Sequence, residues 1–224
     1  MIDWGPLILT FRLAFLVTVI LLLIGIPLGY WLAYSKRRIK PVVEALVSMP
    51  LVLPPTVIGF YLLIAFSPSN ALGSWLHEVL GLQLIFSFEG LVFASVLYSL
   101  PFMVHPIQSG FAHLPASLRD SAYVLGKSRT TTMFRVLLPN IRPALLTGVV
   151  LSFAHTIGEF GVVLMIGGNI PGETKVASIA IYDEVEGLNY GAANTYSMIL
   201  FALTFFILLT VYLVNGGYVK RLWK

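Results

Sequence analysis

Residues 12–36 read RLAFLVTVILLLIGIPLGYWLAYSK, and 23 uncharged residues stand without a break between Arg12 and Lys36. A helix needs about 20 apolar residues to cross the hydrocarbon of a bilayer, so this run spans one on length alone. It does not read as a cleaved leader. No cation precedes Arg12, and Lys36-Arg37-Arg38 follows the run where a small-residue cleavage site would stand. Further uncharged gaps lie between Glu44 and Glu78, between Glu89 and Arg119, and between Glu186 and Lys220. The 224-residue chain is 58% hydrophobic and 11% charged. A soluble domain carries about 25% charged residues, so a greasy soluble core does not explain this composition. The chain is an all-α integral membrane protein. Five transmembrane helices are expected, near 13–34, 45–66, 90–110, 143–165 and 196–214, in a single transmembrane domain covering 1–224. No soluble domain is expected, and none beyond Lys224.

Charge then orients the spans. The first loop holds Lys36, Arg37, Arg38 and Lys40, and the second, 67–89, holds no Lys or Arg. The third, 111–142, holds Arg119, Lys127, Arg129, Arg135 and Arg142. The fourth sets Lys175 against Glu173, Asp183, Glu184 and Glu186, and the tail carries Lys220, Arg221 and Lys224. Basic residues gather on the cytoplasmic side of membrane proteins, so the N-terminus is expected outside and the C-terminus in the cytoplasm. The net charge of +4 reflects this topology and is not a nucleic-acid footprint. With no cysteine there is no disulfide framework and no thiolate metal site. His77, His105 and His113 lack metal-ligand spacing, so no metal is expected.

The third loop contains the most informative segment, residues 120–139, DSAYVLGKSRTTTMFRVLLP. Ser117-Leu118-Arg119-Asp120 has capping-box spacing, with Pro115 just upstream. Leu118, Ala122 and Leu125 recur at helical spacing, and Gly126 suits a left-handed helix end. A second short helix is expected over 130–138, stopped by Pro139. Two short helices with a sharp turn at the inner face of the membrane suit docking into a partner.

Asp120-Ser121-Ala122, three residues, Gly126, nine residues, then Val136-Leu137-Leu138-Pro139 resembles the Glu-Ala-Ala loop of ABC importer permeases. Both spacings of that pattern are kept. Asp120 stands for Glu and Ser121 for the first Ala, so a family contact made through the longer carboxylate is the one least carried over. The resemblance implies a type I permease core over about 8–215. Its coupling loop, 111–142, would dock on a separate ATP-hydrolysing subunit through Asp120, Ser121, Ala122, Gly126, Val136, Leu138 and Pro139. MPLVLPPTVIGFYLL at 49–63 and HTIGEFGVVLMIGGNIPGETKVASIAIY at 155–182 resemble segments of molybdate permeases in particular. Tungstate and sulfate or thiosulfate permeases remain as alternatives. The resemblance further implies a homodimer, two ATP-binding cassette subunits and an extracytoplasmic oxyanion-binding protein. ATP and Mg would be bound by the ATPase, with no cofactor in this chain.

Several residues suit an oxyanion path or its gate. Pro54 and Pro55 should kink the second span and free carbonyls inside the bundle, and Thr56 follows with a hydroxyl. Pro101 and Pro106 could act likewise in the third span, or each of these prolines could only shape helix packing. Glu159 is an intramembrane acid that reads as a structural or gating ion pair with His155, one helical turn earlier, as an uncharged packing residue, or as a direct substrate contact. Gly158 and Gly161 would permit close helix approach. No Lys or Arg lies deep in a span, which favours a conduit over a tight binding site. The outer segment 167–175 reads either as a contact for the binding protein or as a solvated turn. No nucleophile–base constellation and no GxxxxGK[ST] phosphate loop is present, so the chain is not expected to be an enzyme. A secondary transporter would call for paired repeats, which are not evident. A membrane-anchored interaction protein would not need the helix–glycine–helix loop.

Overall fold

The apolar run of 12–36 forms the body of a 30-residue helix, α1 (Gly5–Tyr34), about 45 Å long at 1.5 Å per residue. The structure is a computed structural model and describes residues 3–215. The central partner of α1 is α5 (Phe88–Ala112). Lipid chains offer no hydrophobic drive between helices, so close packing has to supply it. Gly25 and Gly29 provide that packing. A Cβ at Gly25 would stand 2.6 Å from Met103 Cγ, and one at Gly29 2.7 Å from Ile107 Cγ2. A third helix, α9 (Arg142–Gly158), lies against both. Leu13, Val17, Leu21, Met103, Ile107 and Phe111 fill the resulting core.

The second expected span is a broken pair, not one kinked helix. Helix α2 (Lys40–Val52) and α3 (Pro55–Phe66) meet at a bend of 113°. Pro54 and Pro55 have no N–H, and their rings collide with the carbonyls four residues back, at Pro50 and Leu51. Two adjacent prolines therefore end the ladder outright. By contrast, Pro101 and Pro106 leave α5 continuous. After α3 comes α4 (Ala71–Leu80), closed by Gly81 at φ 64°.

The fourth expected span, 143–165, is also interrupted. Helix α9 stops at Gly158, Glu159 is extended at φ −68°, ψ 134°, and α10 (Gly161–Gly167) follows. No proline acts here. Glycines flank the break, and the Ser178 hydroxyl donates to the Glu159 carbonyl at 2.6 Å, giving that group the partner that the helix no longer supplies. Two further helices complete the chain, α11 (Ala177–Glu186) and α12 (Tyr190–Asn215). Among the described residues, α1, α5 and α12 are long and apolar enough to cross a membrane unbroken, and the count rises to five if each bent pair is one crossing.

The loops meet at two ends of the bundle. At one end Tyr34 Oη donates to the Phe111 carbonyl at 3.0 Å, and the Arg119 guanidinium lies over the Tyr34 ring at 5.1 Å. The first and third loops therefore share a face. At the other end Phe86 N–H bonds the Ile166 carbonyl at 2.8 Å, and Ala177 N–H bonds Thr10 Oγ1 at 2.8 Å. Of the charges used to orient the chain, Lys220, Arg221 and Lys224 lie outside the described residues.

Candidate functional site

The third loop folds as two helical arms. Helix α6 (Ala116–Val124) begins at Pro115, with no side-chain cap, so the expected capping box does not form. Ser117 falls inside the first turn, too late to cap it. The end is as expected. Gly126 sits at φ +72°, its N–H bonds the Tyr123 carbonyl at 2.9 Å, and Lys127 N–H bonds Ala122 at 3.0 Å. This paired pattern closes a helix through a left-handed residue. Nothing lies within 4 Å of a Cβ placed on Gly126, so backbone conformation alone calls for glycine there.

The second arm runs from 129 to 140, longer than the expected 130–138. It comprises α7 (Arg129–Thr132), a π turn (Met133–Leu137) and α8 (Leu138–Asn140). Ser128 caps it by accepting from Thr131 N–H at 3.2 Å. Pro139 sits inside the arm and does not stop it. With no N–H of its own, Pro139 favours the wider π turn, in which Leu138 N–H reaches back to Met133. The chain then turns by 77° into α9.

Between the arms stands an exposed apolar tip, with Val124 at 87% and Leu125 at 74% of full exposure. Asp120 and Ser121 are exposed beside it, and Ala122 is buried. Val136, Leu138 and Pro139 are half-buried beneath the tip. Asp120 contacts Arg119 Nε at 3.4 Å.

Four of the candidate path residues, Pro55, Thr56, His155 and Glu159, meet at a separate open cavity of about 490 Å³. Its lining includes Pro55, Thr56, Tyr98, His155, Glu159 and Gly161. The break at Pro54 aims the start of α3 at the break around Glu159, and Gly161 lets the two meet. A Cβ on Gly161 would stand 2.9 Å from Pro55 Cβ. Gly158 has open space around it and mediates no close approach. Pro54 is exposed at the break. Thr56 is exposed and makes no hydrogen bond among the described residues, so it does not cap a freed carbonyl.

His155 and Glu159 do not pair. Because α9 ends at Gly158, Glu159 leaves the face that His155 occupies. His155 Nδ1 instead meets Ser99 Oγ at 2.8 Å, and its ring stacks on Phe102 with centroids 4.0 Å apart. Glu159 is 4% exposed and neither carboxylate oxygen has a partner. The Ser95 hydroxyl faces it from α5 but stands outside hydrogen-bond geometry. Sequence reading passed over Ser95, Tyr98 and Ser99. A trace of them existed, since Ser95 and Ser99 are polar residues four apart in an apolar span.

The segment 167–175 is not a loose turn. Thr174 is buried, donating to the Gly167 carbonyl at 2.7 Å and accepting from Ile170 N–H at 2.8 Å. Lys175 Nζ meets Asp183 at 2.6 Å, and Asn169 Nδ2 donates to both oxygens of that carboxylate at 2.9 and 3.0 Å. Burial alone would push the Asp183 carboxyl up, but the bonds from Lys175 and Asn169 hold it below the ordinary value of 3.8.

Comparison with known proteins agrees with this architecture. Residues 25–222 match the family model described as binding-protein-dependent transport system inner membrane component. The molybdenum transport system permease protein ModB of Azotobacter vinelandii is 44% identical over 94% of this chain and 93% of its own. A probable sulfate transport system permease protein of Chlorella vulgaris is 31% identical over 91% of this chain and 76% of its own. Among solved structures, an inward-facing MetNI methionine ABC transporter aligns with a TM-score of 0.74 at 17% identity, over 95% of this chain and 94% of that one. That likeness establishes a shared fold.

Proposed function

Because the chain belongs to the family of binding-protein-dependent transport system inner membrane components, we propose that it is the permease subunit of an ATP-driven molybdate importer. It is a multi-pass protein of the cell membrane, and ATP hydrolysis belongs to a separate ATPase subunit. The observation that carries the substrate is the 44% identity to a molybdenum permease along nearly the whole of both chains. Sulfate is the second reading, favoured by the 31% identity to a sulfate permease of which a quarter is unmatched.

In this reading two copies form the passage, two ATPase subunits hold ATP and Mg, and an extracytoplasmic binding protein delivers the oxyanion. The apolar tip at Val124 and Leu125 supports the coupling role, because exposed apolar side chains on a rigid turn need a partner groove. Asp120, Ser121, Ala122 and Gly126 set the shape of that tip, and Val136, Leu138 and Pro139 seat it on the bundle. Closure of the ATPases would draw the two tips together and rotate the broken helices.

The cavity beside Glu159 supports a conduit. Pro55, Thr56 and Tyr98 offer bends and hydroxyls, and no Lys or Arg lines the cavity. A dianion would pass it on hydroxyl and backbone dipoles without being trapped. Glu159 and His155 serve as gate residues. The Glu159 carboxyl, without a partner here, would take up Ser95 when α9 and α10 move. The test is ATP-dependent uptake of labelled molybdate into vesicles holding the permease, its co-encoded ATPase and the binding protein. Uptake blocked by tungstate but not by sulfate is expected. Strong competition by sulfate would move the substrate to the second reading, and no oxyanion uptake would remove both.

A further inference from the structure

A second cavity, about 630 Å³, opens at the end of the bundle that carries the first and third loops. It lies between the last turn of α1, the residues after it, and both arms of the third loop. Four cations line it: Lys36, Arg37, Arg119 and Arg129. Asp120 is the one acid in the lining, and it contacts Arg119. Lys36, Arg37 and Arg129 are in no ion pair among the described residues. Lys40, a cation of the same first loop, does not line the cavity and pairs with Glu44 at 3.7 Å.

Cations gathered around one concave space repel each other, and low-dielectric walls strengthen that repulsion. The walls here are aromatic. Tyr30 and Tyr34 come from α1 and Tyr123 from α6. Tyr34 also holds Arg119 in place by its ring, so one cation is fixed before any ligand arrives. Cytoplasmic loop charge alone accounts for basic residues at this end, but not for their convergence on an aromatic-walled cavity. The depth is informative as well. Trp31 and Tyr34 lie in the final turn of a spanning helix, where aromatic side chains meet lipid headgroups. The volume is that of roughly twenty waters at ~30 Å³ each, so a phosphate carrying a larger substituent fits.

We propose that this cavity binds a phosphate-bearing anion, held by Arg37, Arg119, Arg129 and Lys36 between α1 and the coupling arms. Guanidinium groups suit the task because they bind phosphate oxygens in pairs. The anion is either the headgroup of an anionic phospholipid of the inner leaflet or free phosphate from the cytoplasm. Bound there, it screens the four cations and ties α6 to α1. Binding needs only the membrane placement of this end, whereas any effect on ATP turnover rests on the function proposed above.

The experiment uses the permease–ATPase complex in nanodiscs and involves no oxyanion transport, so failure of the molybdate reading leaves it intact. In one arm the discs contain phosphatidylglycerol and phosphatidylcholine, and the phosphatidylglycerol retained through native mass spectrometry is counted. In the other the discs contain phosphatidylcholine alone and inorganic phosphate is titrated against thermal stability. The test variant is Arg37→Gln with Arg129→Gln; both side chains are exposed, and circular dichroism checks that the helices remain. Lys40→Gln is the control. Roughly tenfold weaker binding in the double variant, from loss of two charge-assisted contacts, is expected in the arm that holds the ligand, with the control unchanged. Loss in the lipid arm assigns a headgroup, and loss in the phosphate arm assigns a free anion. Binding in neither arm, or equal binding by wild type and double variant, overturns the site.

Discussion

Glu159 is the residue that packing explains least, and in the proposed function it is a gate residue. A buried polar group without a partner costs about 1–3 kcal/mol, and Glu159 leaves two oxygens unpaired. Nothing nearby in this conformation compensates, since His155 is committed to Ser99 and the Ser95 hydroxyl stands off. Stability lost in one state is explained if another state recovers it. Glu159→Leu should therefore raise the melting temperature of the purified complex and lower vesicle uptake by roughly tenfold or more, since about 1.4 kcal/mol of lost coupling already gives a factor of ten. Glu159→Gln, which keeps the shape and can still bond Ser95, should fall between. Unchanged uptake in both variants, measured at matched protein levels, would reduce Glu159 to a packing role.

At the scale of elements, the exposed tip of the third loop depends on one backbone angle. Most residues pay about 1–2 kcal/mol in the left-handed region that Gly126 occupies, while Asn tolerates it. Because no neighbour stands where a Cβ would go, size is not the obstacle. Gly126→Asn should keep most of the coupled ATPase activity. Gly126→Pro should abolish coupling, because proline fixes φ near −65° and removes the N–H that bonds Tyr123. Membrane insertion should survive in both, which a fractionation blot checks. Equal coupling in the two variants would show that the turn geometry does not matter.

The clamp of α11 is a second element with its own signature. Asp183 has a depressed carboxyl value when folded, so its contribution is complete above the ordinary 3.8 and fades as pH falls through the lower folded value. The protection factors at 169–183, exchange corrected for its intrinsic pH dependence, should thus be flat from neutral to mildly acidic pH and fall only below about 4. Lys175→Met should raise that exchange already at neutral pH.

For the whole molecule, the question is which surface faces the passage. Helix α12 buries little within its own chain, Ala193 and Tyr196 excepted, so it lies at the periphery. The breaks before Pro55 and at Glu159 instead line the open cavity, together with Tyr98 of α5. The chain has no cysteine, so a single introduced thiol can be followed cleanly. Thr56→Cys should react with a water-soluble thiol reagent, and the rate should change severalfold when ATP and the binding protein are added. A cysteine at Phe205, on the exposed side of α12, should react slowly and with no ATP dependence. A reversed pattern would place the passage on the other face.

What the sequence determined by itself is what depends on composition and local chain chemistry. Apolar runs longer than a bilayer is thick required spanning helices, loop charges separated the two ends, and Gly126 alone required the turn at the tip of the third loop. The tertiary structure decided the rest. Pro54 and Pro55 were legible as a kink, but a bend of 113° depends on where α3 finds its contact with Gly161. The break at Glu159 has no breaker residue in it and could not be read locally. It exists because Ser178, 19 residues on, supplies the hydrogen bond that the helix gives up. The same break sends Glu159 away from His155, whose partner comes from α5. Periodicity assumes that the helix continues, and only long-range hydrogen bonds can say where it does not.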